Sequence, residues 1–442
     1  MSLTGGLVPE EGPSIAGPGA VTRADELAAA AGPGRTRRWL LVAGLLFLVL
    51  ALVRQLTDNP ELTSSGTFGT TLRFAVPILL AALGGLYAER CGVVNIGLEG
   101  MMILGTWFGA WGAWEYGPWW GVAIGIAGGA AGGLLHAVAT VTFGVDHIIS
   151  GVAIITLSGG LVRYLSSEVY EGVPGGGATQ SPRVTTVGTF DVPVLAGGDL
   201  FGWHSPDVLG SLERHHWLFV SDVAGVLRGF THAVSWLTLI ALLLVPASWY
   251  LLWRTVFGLR LRSCGENPTA ADTLGVPVYR MKYAGVLLSG GLAGLAGAFI
   301  AIEASGIYRQ GQTQGRGFIG LAALIFGNWR PAGAAGGALL FGFADALQLR
   351  EESAVHAALL FVAAIALLGA IYLFWKGRRG PAIGAAVVGA LVAWWYFATD
   401  DIPVEFVKMT PYVVTLVVLA VATQRLRPPA YVGRPWRKGQ VE

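Results

Sequence analysis

Runs of roughly 20 apolar residues, broken by short polar or glycine-rich turns, recur along nearly the whole chain. Twelve stand out: Trp39–Leu56, Thr70–Ala88, Gly92–Ala113, Trp119–Phe143, His147–Leu165, His232–Trp253, Met281–Glu303, Phe318–Trp329, Pro331–Leu349, Val355–Trp375, Pro381–Ala398 and Pro411–Thr423. The lengths fit helices that cross a hydrocarbon layer about 30 Å thick. They predict an all-α polytopic membrane protein with about 10–12 transmembrane helices.

Composition agrees. The chain is 54% hydrophobic and 13% charged, about half the charged fraction of a soluble domain. Its net charge of +2 says little; the placement of the charges says more. Arg35, Arg37, Arg38, Arg90, the Arg254–Lys282 loop, Arg330, the Lys376–Arg379 turn and the Arg425–Lys438 tail fall in alternate connections. By the positive-inside rule both termini lie in the cytosol.

Three regions follow. Residues 1–38 are rich in Gly, Pro and Ala and read as a disordered cytosolic extension. Residues 39–425 form the transmembrane domain, and 426–442 a basic cytosolic tail. Arg35–Leu56 resembles a signal peptide, but its apolar run is long and no A-x-A site follows, so it reads as a retained first helix. The loop 166–231 is external, too polar to span, and has an alternating run, Val184–Leu195, that suggests a hairpin. Cys91 and Cys264 are the only cysteines, both at cytosolic boundaries, so no disulfide framework is implied.

Glycines four apart, at 121, 125 and 129, at 290 and 294, and at 333 and 337, predict close helix packing. A short echo links Gly92–Gly105 (GVVNIGLEGMMILG) and Gly317–Gly327 (GFIGLAALIFG). The first starts at the inner face and the second at the outer face, as an inverted-topology repeat requires.

Polar residues inside spans are few. Asn95 and Glu99 share a helical face at the start of the third run. They suit a substrate path, or else Glu99 snorkels to the interface or pairs with Arg90. Asp345 and Gln348 share a face of the ninth run, and Phe318 opens the second echo; with Asn95 and Glu99 they are the candidate path residues. Arg73 and Glu303 lie in or near spans, and His136 reads as a hydrogen-bonded packing residue. Tyr308–Arg316 reads as an outer mouth or a solvated loop.

A shorter element lies between the sixth and seventh runs. In the cytosolic loop 254–280, Asn267-Pro268 opens and Gly275 closes about two helical turns, by N-cap, first-turn and C′ preference. So short a helix is marginal alone and needs a surface to rest on. Ala271 and Leu274, three apart, are its apolar positions.

Several functions are excluded. None of the four lysines follows a glycine, so no P-loop is present. H-E-x-x-H and G-x-S-x-G are absent, and the seven histidines lack metal-ligand spacing. Nothing suggests nucleic-acid readout, and no cofactor is implied.

Three motifs, ERCGVVNIGLEGMM at Glu89–Met102, GLRLRSCGENPTAADTLGV at Gly258–Val276 and GRGFIGLAALIFGNWRP at Gly315–Pro331, resemble the permeases of ABC importers. The branch they resemble is the nucleoside and simple-sugar permeases of the ribose/branched-chain amino-acid type. The likeness covers most of Leu72–Leu349, and the final TPYVV and RPPAYVGRPW also look familial. It implies a bacterial plasma-membrane subunit that pairs with a second permease. It further implies two cytosolic ABC ATPase subunits and an extracytoplasmic substrate-binding lipoprotein as partners. By the resemblance, Glu266, Asn267, Pro268, Ala271, Asp272, Leu274 and Gly275 belong to the coupling helix that seats on the ATPase. Two departures are an extra helical pair at 354–398 and a long 166–231 loop. The alternative, an ion-coupled secondary transporter, would use Glu99 or Asp345.

Overall fold

The computed structural model describes residues 33–439 except 201, 351, 400–401, 404, 408, 411–412 and 414–425. The expected extension over 1–32 and most of the twelfth run therefore lie outside the described residues. The other eleven runs all fall on helices: α1 (Pro33–Thr57), α2 (Ser65–Arg90), α3 (Leu98–Tyr116), α4 (Pro118–Ala137), α5 (His147–Val169), α8 (Trp236–Arg254), α11 (Val278–Ala298), α12 (Arg316–Phe326), α13 (Pro331–Leu347), α14 (Glu352–Trp375) and α15 (Arg379–Ala398). Among the described residues seven helices are long and apolar enough to cross a membrane: α2, α4, α5, α8, α11, α14 and α15. α12 and α13 are shorter apolar helices. The molecule is an all-α polytopic membrane protein.

Helix starts follow local chemistry. The Ser64 hydroxyl accepts the Thr67 N–H at 3.2 Å, and the Asp146 carboxylate accepts those of Ile148 and Ile149 at 2.9 and 3.1 Å. Each satisfies donors that the first turn leaves unpaired. Single π-type turns extend α4 through Val138–Thr142 and α11 through Phe299–Ala304.

α2 is the axis of the bundle, buried from Ala75 to Glu89, with α11, α12 and α13 against it. The predicted glycine seams are real contacts. A Cβ on Gly129 would meet Gly294 Cα at 2.4 Å, and one on Gly290 would meet Gly129 O at 2.5 Å. α4 and α11 therefore approach backbone to backbone, as packing in lipid favours. α14 and α15 pack on each other, and α14 also on α1, outside this core.

Two expectations change. The third run is not helical from Gly92: the chain stays irregular to Gly97 and α3 begins only at Leu98. Gly92 has φ +90°, open to glycine at little strain. Val94 is held from both sides, its N–H by His147 Nδ1 at 3.2 Å and its carbonyl by His136 Nε2 at 3.0 Å. Tertiary partners thus replace the helical bonds that the apolar pattern predicts.

The second change is in the 166–231 loop. Val184–Leu195 forms no hairpin. β1 (Thr189–Phe190) pairs antiparallel with β4 (Val234–Ser235), far along the chain, and the tight pair is β2 (Asp199–Leu200) with β3 (Trp203–His204). Two short helices, α6 (Val208–Arg214) and α7 (Val220–Gly229), complete this cap. A buried ion pair, Arg54 with Asp222 at 2.8 Å, ties it to α1. Arg228 pairs with Asp207 at 2.9 Å inside the cap and ties it to α2 by donating to Ser65 Oγ at 3.1 Å.

Candidate functional site

Two irregular segments each lead into a helix, and the helix starts meet inside the bundle. One is 91–97, between α2 and α3; the other is 305–315, between α11 and α12. Glu99, in the first turn of α3, is buried. Its Oε1 accepts the Gly315 N–H at 3.0 Å and its Oε2 the Gly317 N–H at 2.7 Å. The carboxylate thus caps the N-terminus of α12, whose open N–H groups and dipole favour a negative charge. Glu99 neither snorkels nor pairs with Arg90. Arg90 donates instead to the Trp329 carbonyl at 2.7 Å.

The backbone at this junction requires glycine twice. Gly315 is left-handed at φ +75°, and a Cβ on Gly317 would meet Glu99 Cα at 2.7 Å. Arg316, between them, is buried and reaches Asp345 Oδ2 at 3.2 Å, with its guanidinium over the Phe74 ring at 5.2 Å. Gln348 Nε2 lies 3.5 Å from Asp345 Oδ1. Asn95 is fully buried and donates to Ser289 Oγ on α11 at 2.9 Å, while its Oδ1 has no partner. Phe318, in the first turn of α12, is 45% exposed.

Four of the five candidate path residues, Glu99, Asp345, Gln348 and Phe318, thus gather at the start of α12, and Asn95 lies just before α3. Both carboxylates already have N–H partners, so this conformation offers neither as an open ion site. The 308–316 segment is solvated over Arg309–Gly311 and at Gln314 but anchored at both ends. Tyr308 is buried, and the chain runs inward to reach Glu99. Ser289, His147 and Arg316 complete the junction; a lone serine or histidine in an apolar run gave no signal.

The 254–280 segment has the predicted caps. α9 (Val256–Glu266) turns at Asn267 into α10 (Pro268–Thr273), and Asn267 Oδ1 accepts the Ala270 N–H at 2.9 Å. Gly275 takes φ +80° after it. The two apolar positions do not share a face, however. Ala271 is buried against Cys264, Val278 and Trp436, whereas Leu274 is 84% exposed. α10 ends at Thr273, and Leu274 is its C-cap with non-helical dihedrals, so the i, i+3 spacing no longer keeps it on the face of Ala271. Glu266 Oε2 accepts the Ala430 N–H at 3.3 Å, and Asp272 lies 3.5 Å from Lys438 Nζ. Burial pushes the Cys264 thiol up to about 11, which keeps it neutral and unreactive.

Residues 67–368 match the family model described as the permease component of the branched-chain amino acid transport system. The chain belongs to this permease family. It is a multi-pass plasma-membrane protein.

The permease is 33% identical over 377 residues to the guanosine ABC transporter permease NupQ of Bacillus subtilis, covering 84% of this chain and 96% of that one. It is 34% identical over 356 residues to the nucleoside ABC transporter permease NupC of Lactococcus lactis, covering 79% and 89%. Against the glucose ABC transporter permease TsgB13 of Haloferax volcanii the identity is 27% over 274 residues, covering 60% and 65%. No solved structure matches the chain.

Proposed function

We propose that the permease is the membrane-spanning subunit of an ATP-driven importer, and that it forms the path for a nucleoside or a simple sugar. The observation that carries this is α10. It is capped at both ends, tied down on one side, and presents Leu274 to the cytosol on a chain with no P-loop of its own. A separate ATPase subunit would supply hydrolysis and meet α10 at that exposed side. The names of the similar proteins, permeases for guanosine, nucleoside and glucose, support the substrate class.

In this reading a second permease completes the pore and an extracytoplasmic binding protein delivers substrate to the cap side. The α12 start would be the narrow point of the path. Phe318 offers an aromatic face, on which a nucleobase or a sugar ring can stack. The buried, unpartnered Asn95 Oδ1 offers an acceptor once the segment moves. Glu99 and Arg316–Asp345 hold α12 in place between strokes.

Uptake in cells tests the drive. Collapsing the proton gradient while ATP is held high should leave uptake of labelled guanosine or glucose largely intact. Immediate loss of uptake at constant ATP would refute the importer reading. Binding of radiolabelled nucleosides and sugars by the partner binding protein separates the two substrate classes.

A further inference from the structure

The segment 427–438 crosses the inner face and touches the elements that end there. It starts at the α12–α13 turn, where the Arg427 N–H donates to Asn328 Oδ1 at 2.8 Å. The Tyr431 N–H then donates to the Gly265 carbonyl at 2.9 Å, and the Gly433 N–H to the Gly92 carbonyl at 3.2 Å. Trp436 is buried beneath α10. Its Nε1 donates to Thr269 Oγ1 at 3.2 Å, and its ring stands 5.4 Å from that of Tyr279. Lys438 closes the run against Asp272.

Two routes therefore join α10 to Gly92, near the start of the irregular segment that carries Asn95. One is direct: Gly265, at the end of α9, lies so close to the α2 terminus that a Cβ would meet Arg90 O at 2.3 Å. The other runs through the tail, from Trp436 under α10 back to Gly433 on Gly92. A helix of six residues cannot transmit a push by itself, because its own hydrogen bonds are too few to keep it formed. Packed between α9 and a buried tryptophan, it can.

We infer that residues 427–438 are a strap that makes α10 and the 92–95 segment move as one body. Displacement of α10 is thereby delivered to Asn95 and, through the start of α3, to Glu99 at the α12 start. This rests on the reading that α10 meets an ATPase. A releasable latch would be held by exposed side-chain pairs. Here one exposed pair, Lys438 with Asp272, is outnumbered by bonds from the tail's backbone N–H groups and a buried indole, which suit a permanent joint.

The test uses the complete transporter, with its ATPase and binding protein, in proteoliposomes. Trp436→Ala should still co-purify with the ATPase and hydrolyse ATP, while substrate moved per ATP falls tenfold or more. A wild-type transport ratio in that variant overturns the strap. Because Trp436→Ala could fold poorly, a second pair, Asp272→Cys with Lys438→Cys, is bridged by a short reducible thiol cross-linker. The native Cys91 and Cys264 are buried and escape it. Bridging should leave uptake unchanged. Loss of uptake that reductant restores would mean the tail must release, and the strap would be wrong. Wild-type protein that recruits no ATPase would sink the importer reading itself, a result visible before either variant is made.

Discussion

Glu99 shows how much a single carboxylate can organise. Removing it leaves the buried Gly317 N–H and the half-buried Gly315 N–H without their partner, the buried one worth about 1–3 kcal/mol. Glu99→Ala should therefore lower the thermal midpoint in detergent more than Glu99→Gln, whose amide oxygen still accepts one bond. Both should slow uptake. Equal midpoints for wild type and Glu99→Ala would show the clamp to be unimportant. Gly317→Ala should be poorly recovered as monodisperse protein, since its Cβ would meet Glu99 Cα at 2.7 Å. Gly336→Ala, in α13 with nothing within 4 Å of an added Cβ, should be neutral or slightly stabilising, because alanine favours a helix by about 1 kcal/mol over glycine. The sequence marked Glu99 as unusual, since a carboxylate in an apolar run stands out. It did not identify the partner, because Gly315 lies 216 positions away and acts through its backbone.

At the scale of elements, the helices were legible wherever an apolar run had the length of a span, and the glycine stripes named the faces that meet. Reading failed where tertiary partners outweigh pattern. Gly92–Gly97 looks apolar enough to be helical, yet His136 and His147 hold Val94 in another conformation. The short strands of the cap pair across distances that alternation cannot convey. α10 was placed correctly from Asn267, Pro268 and Gly275, but its faces were not, since Ala271 is covered by a tail far along the chain. Its docking prediction accordingly moves to Leu274. Leu274→Glu should insert and fold normally, because the side chain is exposed, while ATP-driven uptake falls about tenfold or more, as loss of an interface anchor of about 2 kcal/mol implies. Ala271→Glu should instead lower stability. Unchanged uptake in Leu274→Glu would remove that face from the interface.

Across the whole molecule, the cap and the tail close the two ends of the bundle in different ways. The cap is held by apolar packing and by charge. Burial alone would raise the Asp207 pKa, but the Gly210 N–H and the Arg228 guanidinium outweigh it and hold the carboxyl below its usual range. A group depressed in the folded state stabilises above its unfolded pKa, about 3.9 for aspartate, and that contribution is lost as pH falls through the lower folded value. The cap should therefore resist protease at pH 6 and become cleavable between α6 and α8 below about pH 4; equal cleavage at both would show that the Arg228 cluster does not fasten it.

The tail has an additional consequence for how the protein is made. Residues 427–438 are translated after every membrane helix described above, yet they supply the tryptophan on which α10 rests. A nascent chain can insert α1 through α15 and still lack a finished inner face. In the proposed importer the support that lets α10 pass on a stroke is thus completed only when synthesis has passed Trp436, so coupling is ordered after insertion, and a chain truncated before Trp436 would bind its partner yet transport poorly.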